Sequence, residues 1–132
     1  MGKLTYINNY IDQNISIDDT SIYSLVNTSN ETLSNLLRGP KSLGSFFEDS
    51  SYTALPSINS PSPEGMRYFS GGYNTFLYGT NRNFNFNAIQ LEFPFPDLRD
   101  TAQSRNTFSS AFVSIIQDYI ETHTGMDILT VN

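Results

Sequence analysis

The sequence predicts an α/β fold in which a few-stranded sheet is packed by helices, with a long helix at the C-terminal end. The first observation is the run over residues 88–93, which has the length of one buried strand and is closed by Pro94 and Pro96. The second is the stretch 108–120, where apolar residues recur at intervals of three and four, as in an amphipathic helix. We expect this helix to dock on the sheet and to end at Gly125.

Short helices are predicted in the first half of the chain. Asp18, Asp19 and Thr20 offer a cap for one helix over residues 22–26. Residues 29–32 open a second helix, which Gly39 and Pro40 end, with the glycine in the left-handed conformation. A third helix begins at Ser42 with Leu43, Phe46 and Phe47 facing inward.

Length and composition indicate one domain. The 132 residues suffice for a single core, although residues 1–30 carry the weakest pattern. A formal net charge of −6 argues against a nucleic-acid surface, which needs clustered Lys and Arg. There are no cysteines, and we see no apolar run that would serve as a signal peptide or membrane span. We therefore expect a soluble protein, and the sequence does not indicate its cellular compartment.

Gln90 and Glu92 are the polar positions inside the strand-like run. Because side chains alternate along a strand, the two project together. A carboxylate in such a run is costly to bury unless it is paired or used. In open α/β sheets ligands lie beyond the carboxyl ends of strands, so Glu92 is the first candidate for chemistry. The alternative is a carboxylate at a solvated strand end.

The glycine pair Gly71 and Gly72 permits a close approach that a Cβ would forbid, and Tyr73 and Asn74 follow with polar tips. The alternative is a glycine turn between two aromatic strands. His123 is the only histidine, and near a helix end it complements the helix dipole more readily than it binds a metal. A complete catalytic set is therefore not visible from residue types alone.

Five stretches follow one another in a specific order and spacing. They are Arg38-Gly39-Pro40-Lys41-Ser42-Leu43-Gly44, Ala54-Leu55-Pro56-Ser57, Tyr68-Phe69-Ser70-Gly71-Gly72-Tyr73-Asn74-Thr75, Ala88-Ile89-Gln90-Leu91-Glu92 and the helical stretch 99–120. Together they resemble the C-terminal part of N-formylglutamate amidohydrolase-like proteins, over about residues 20–123.

The resemblance implies a phosphorylase/hydrolase-like three-layer fold related to zinc carboxypeptidases, of which residues 1–132 would be the C-terminal half. Glu92 matches the catalytic glutamate, the general base that takes a proton from zinc-bound water. Gly71, Gly72, Tyr73 and Asn74 match the glycine-rich site loop, and Gln90 is a further expected substrate-binding residue. We add that Arg38 and Lys41 have the chemistry to hold a substrate carboxylate, although capping or surface solvation would also use them.

The family's zinc ligands are expected in an N-terminal half that this chain lacks. The chain is then a subunit or fragment of a split amide hydrolase, a degenerate relative that serves as a binding or structural module, or an enzyme of metal-free chemistry. The first two imply a second polypeptide or another copy that covers an exposed apolar face. The expected substrate is a small amide or peptide, with neither nucleic acid nor membrane as a partner.

Overall fold

The computed structural model describes residues 20–62, 64, 72–79 and 86–130. In chain order the described elements are α1 (Tyr23–Thr28), α2 (Leu33–Arg38), α3 (Leu43–Asp49), a π-helical turn (Thr75–Gly79) and α4 (Ala102–Thr124). No β-strand occurs within these ranges, so the predicted α/β sheet and its three-layer packing are wrong for the part of the chain that is described.

The predicted strand over residues 88–93 is an irregular segment that attaches to the beginning of α1. The backbone N–H of Ala88 donates to the carbonyl of Ser21 at 2.9 Å, and the backbone N–H of Leu25 donates to the side chain of Asn87 at 2.8 Å. A strand exists only when a neighbouring strand completes its hydrogen-bond ladder. Alternation of apolar and polar residues along one segment predicts which side chains are buried and which are exposed, but it does not show that a second strand lies beside the segment.

A helical turn follows Gly72 where one alternative predicted an aromatic strand. It runs into the π-helical turn Thr75–Gly79, so the aromatic hairpin is not formed there. Residues 66–70, the strand of that hairpin before the two glycines, lie outside the described residues.

Most helix ends follow local sequence signals, but α1 does not begin with the predicted side-chain cap. Its N-cap residue is Ile22, which makes no side-chain capping bond, and the side chain of Thr20 accepts from the N–H of Ile22 itself, at 3.4 Å. Asp18 and Asp19 lie outside the described residues.

The side-chain oxygens of Thr32, Ser42 and Thr101 each accept a bond from the backbone N–H three residues further on, which caps α2, α3 and α4. Gly125 ends α4 with φ +70°, as predicted. Gly39 ends α2 in an extended conformation, with φ −93° and ψ −175°, so its predicted left-handed cap is wrong.

The C-terminal half of α4 packs on the three short helices, and the predicted docking on a sheet is wrong. A buried cluster joins α4 to α1 and α2, and Leu36 at its centre is 2 % exposed. Its members are Ile22, Leu25, Leu36 and Tyr119, with Val26, Leu33, Leu37, Leu43, Phe46 and Ile120 packed around them. No helix in the described ranges is both long enough and apolar enough to cross a membrane.

The N-terminal half of α4 carries a second group of rings, which we call the aromatic cluster. Its ring centroids lie between 4.9 Å (Phe93 to Phe108) and 6.5 Å (Phe47 to Phe108) apart. The cluster consists of Phe47, Tyr52, Phe93, Phe108 and Phe112. It therefore joins α3, α4 and the irregular segment that contains Glu92.

Gln117, assigned to the polar face of α4 by its position, is buried. Its side-chain amide donates to Asp127 at 2.9 Å and its carbonyl accepts from the backbone of Ile128 at 2.9 Å. Because both ends of the amide are satisfied, its burial carries little penalty. Helical periodicity had no means of showing that the chain after Gly125 returns to this side of α4.

The proline-rich loop that begins at Pro56 crosses α3 at Gly44. A Cβ at Gly44 would overlap the carbonyl oxygen of Pro56, so only glycine fits there without movement. The next residue, Ser57, is 0 % exposed and donates to Glu48 at 2.6 Å, while the backbone of Ile58 donates to Ser45 at 3.0 Å. The structure therefore assigns a packing role to Gly44 and Ser57, the last residues of the first two stretches quoted for the resemblance.

Replacing Gly44 by alanine is expected to lower the free energy of unfolding by at least about 1–3 kcal/mol, because backbone has to move to relieve the overlap. Urea denaturation followed by circular dichroism measures the change. Gly72→Ala is the matched control: the new methyl group meets only the flexible end of a glutamine, and we expect a loss below about 1 kcal/mol. Equal stability of the two variants would contradict the packing of the loop on α3.

Tyr119 links stability to alkaline pH. It is 9 % exposed and meets the rings of Phe46 and His123, and burial raises its pKa to about 12. Below the unfolded value of about 10 its contribution is fully present, and it is lost as the pH rises from about 10 to 12. Over that range wild type is expected to lose about 2–3 kcal/mol more than Tyr119→Phe, measured by urea denaturation at each pH. Parallel losses in the two proteins would contradict this role.

Candidate functional site

Three of the predicted site residues lie together in the structure: Gly72, Gln90 and Glu92. The side-chain amide of Gln90 donates to Glu92 Oε1 at 2.7 Å. On its other side, Gln90 Oε1 lies so close to Gly72 that a Cβ there would be 2.7 Å from it. We call this arrangement the Gly72–Gln90–Glu92 cluster.

The cluster joins two segments that are separate in sequence, one containing Gly72 and the other Gln90 and Glu92. Both segments contact Ser21. Gly79, at the end of the π-helical turn, packs so closely on Ser21 that a Cβ at Gly79 would lie 2.6 Å from that of Ser21. Ala88 donates its N–H to the carbonyl of the same residue. The cluster therefore depends on the start of α1, a region where the sequence showed no chemistry.

The segment that carries Glu92 is also held on its other side. Phe93, the next residue, packs in the aromatic cluster at 4.9 Å from the ring of Phe108 and 5.7 Å from that of Phe112. The backbone is thus anchored at Ala88 and again at Phe93. Glu92 lies between these anchors with an exposed side chain, so water and small molecules have access to it.

The remaining residues of the predicted glycine-rich loop flank the cluster. Tyr73 is 74 % exposed and Asn74 is also exposed, at the helical residues that precede the π-helical turn. Gly71 lies outside the described residues. The side chains of Tyr73 and Asn74 are therefore solvent-exposed, and the ligand-binding role predicted for them stays a prediction.

Arg38 and Lys41 bond with residues close to them in the sequence. Arg38 Nε donates to Ser34 Oγ at 3.1 Å within α2, and Lys41 Nζ pairs with Glu31 Oε1 at 2.9 Å. The bond from Lys41 lowers the pKa of Glu31. The Arg38–Ser34 bond lies within α2, and the Lys41–Glu31 contact is a surface ion pair.

The structure does not bring Lys41 next to Glu92. The carbonyl of Lys41 is bonded to the ring of His123 at 2.8 Å, in the last turn of α4. Phe93 instead meets α4 at Phe108 and Phe112, which lie 15 and 11 residues before His123. At 1.5 Å per residue these intervals correspond to about 16–23 Å along the helix axis.

The zinc that the resemblance implies does not fit the described residues. His123 bonds with a backbone carbonyl and packs on Tyr119, as suits a side chain at a helix end. Nowhere in the described ranges do three or more His, Asp or Glu side chains form a group that could hold a metal ion. Any such ligands would have to lie outside the described residues.

A cleft of about 460 Å³ between α3 and α4 was not predicted. It contains none of the predicted site residues and is lined by Phe46, Asp49, Ser50, Asp118, Glu121 and Thr122. Its sequence signal was the spacing of three between Asp118 and Glu121, which places both on one helix face. Without the packing of α3 this spacing indicates only a solvated surface.

We found no match to this chain among models of protein families, curated proteins or solved structures. The resemblance to N-formylglutamate amidohydrolase-like proteins therefore stays a hypothesis that rests on the stretches quoted for it.

Proposed function

We propose that this chain contributes Glu92, as the group that accepts a proton, to the site of an amide-bond hydrolase. The observation that carries the proposal is the Gly72–Gln90–Glu92 cluster. Gly72 and Gln90 are 18 residues apart in the chain, yet their atoms meet beside the carboxylate. The resemblance had placed all three residues in one site. The resemblance supplies the class of reaction. The proposal does not use the α/β fold that the resemblance implied.

The chemistry needs a carboxylate that water and an amide can reach. Glu92 is exposed, and one of its oxygens is held by Gln90. In hydrolysis Glu92 takes a proton from the water that attacks the carbonyl carbon, and then returns it to the leaving nitrogen. The C–N bond breaks, and an acid and an amine form. Tyr73 and Asn74, exposed beside Gly72, are the side chains we assign to substrate contact.

The groups that polarise the carbonyl are assigned to another part of the assembly. The described residues contain no group that could hold zinc. A second polypeptide or another copy of the chain would complete the site. The substrate we propose is a small N-acylated amino acid or peptide, with N-formyl-L-glutamate as the first compound to assay.

Glu92→Gln is expected to lower turnover at least about 100-fold, because glutamine has a similar shape but does not accept the proton. Release of formate from N-formyl-L-glutamate is measured with the assembly isolated through a tag on this chain. Glu121→Gln is the matched control and should retain full activity. Glu121 is also exposed, and it lies near the C-terminal end of α4, whereas the segment with Glu92 contacts the N-terminal half of that helix. Unchanged turnover in Glu92→Gln would remove this residue from the mechanism.

A non-catalytic binding module is the second candidate, and exposed apolar side chains favour it. Tyr73, Phe86, Ile89 and Phe95 are between 46 % and 74 % exposed, around and beyond the Gly72–Gln90–Glu92 cluster. Such side chains are typical of surfaces that another protein covers. In this reading Gln90 and Glu92 are polar residues of a docking surface.

The two candidates differ in what accompanies the chain in solution. A partner that carries a His, Asp and Glu cluster, together with formate release, is expected for the hydrolase. A homo-oligomer without that activity is expected for the binding module. Light scattering coupled to size-exclusion chromatography gives the mass, and mass spectrometry of the purified assembly identifies any second chain. A strictly monomeric chain with no partner would contradict both candidates.

A further inference from the structure

Gln90 uses both ends of its side-chain amide within the Gly72–Gln90–Glu92 cluster. A carboxylate only accepts hydrogen bonds, so the amide nitrogen has to be the end that faces Glu92, at 2.7 Å. The amide oxygen then points toward Gly72, where it occupies the space next to the missing Cβ. The amide is therefore placed between a glycine and a carboxylate, with its orientation determined by the latter.

We infer that Gln90 is a positioning residue for Glu92 and does not itself bind substrate. The sequence had suggested that Gln90 binds substrate. A long exposed carboxylate samples several rotamers, and a bond from a neighbouring amide restricts that freedom. In its catalytic part the inference rests on the proposed function, since positioning matters only if Glu92 accepts the proton.

Gly72 acquires a different role as a consequence. A glycine in a site loop is ordinarily explained by close approach of the substrate to backbone. Here the closest atom to a Cβ at that position is Gln90 Oε1, and Gln90 Cδ would be 3.7 Å from it. An added methyl group would therefore act on the carboxylate indirectly, by displacing the amide that holds it.

The first test is a double-mutant cycle with Gly72→Ala and Gln90→Ala, using formate release from N-formyl-L-glutamate by the isolated assembly. Each single variant is expected to lower kcat about tenfold and to leave KM unchanged, because the carboxylate is less well oriented while the substrate contacts remain. The double variant is expected to be no slower than Gln90→Ala alone, since both changes remove the same contact.

A rise in KM with kcat unchanged in Gln90→Ala would show substrate binding and overturn the inference. Independent, multiplying effects of the two substitutions would also overturn it. If Glu92→Gln kept full activity, the proposed function would fail, and with it the catalytic role of Gln90.

The second test needs no activity. The side-chain amide signals of Gln90 are followed by NMR in the full chain, and both Glu92→Gln and Gly72→Ala should move them. Asn74→Ala, an exposed change two residues from Gly72, is the matched control and should leave them in place. Unmoved signals in both variants would overturn the geometry itself, whatever the kinetics show.

Discussion

Burial of one face of α4 is the interaction on which the other described elements depend. Its C-terminal half covers the apolar side chains of α1 and α2, and Ile115 in its middle is 1 % exposed. Its N-terminal half carries the aromatic cluster, which anchors the backbone beside Glu92 through Phe93. Helices as short as α1, α2 and α3 are marginal alone, so their stability has to come from this packing. The candidate site is thereby held by the same helix as the core.

The close approaches at Gly44 and Gly72 have different consequences. At Gly44 the neighbouring group is the backbone of Pro56, which can give way only if a whole loop moves. At Gly72 it is the end of the Gln90 side chain, which can rotate away. The first contact therefore belongs to stability and the second to the orientation of a carboxylate. The same residue type thus reports on two different properties of the molecule.

The predicted sheet was wrong, yet the pairing of Gln90 with Glu92 survives its loss. Residues two apart in any extended segment point to the same side, whether or not a neighbouring strand is present. The structure replaces the strand partner by bonds to Ser21 and Leu25 of the α1 region and by ring contacts at Phe93. In the described part of the chain, the carboxylate is thus placed by helices.

Local signals in the sequence determined the short helices, their caps at Thr32 and Ser42, and the C-terminal helix that ends at Gly125, because spacing and capping act over a few residues. They also made Glu92 the candidate. Tertiary structure alone decided that α4 packs on helices, that Gln117 is buried, and that Lys41 lies far along α4 from Phe93. These outcomes depend on contacts between distant segments, and periodicity within one segment carries no information about which surface will cover it.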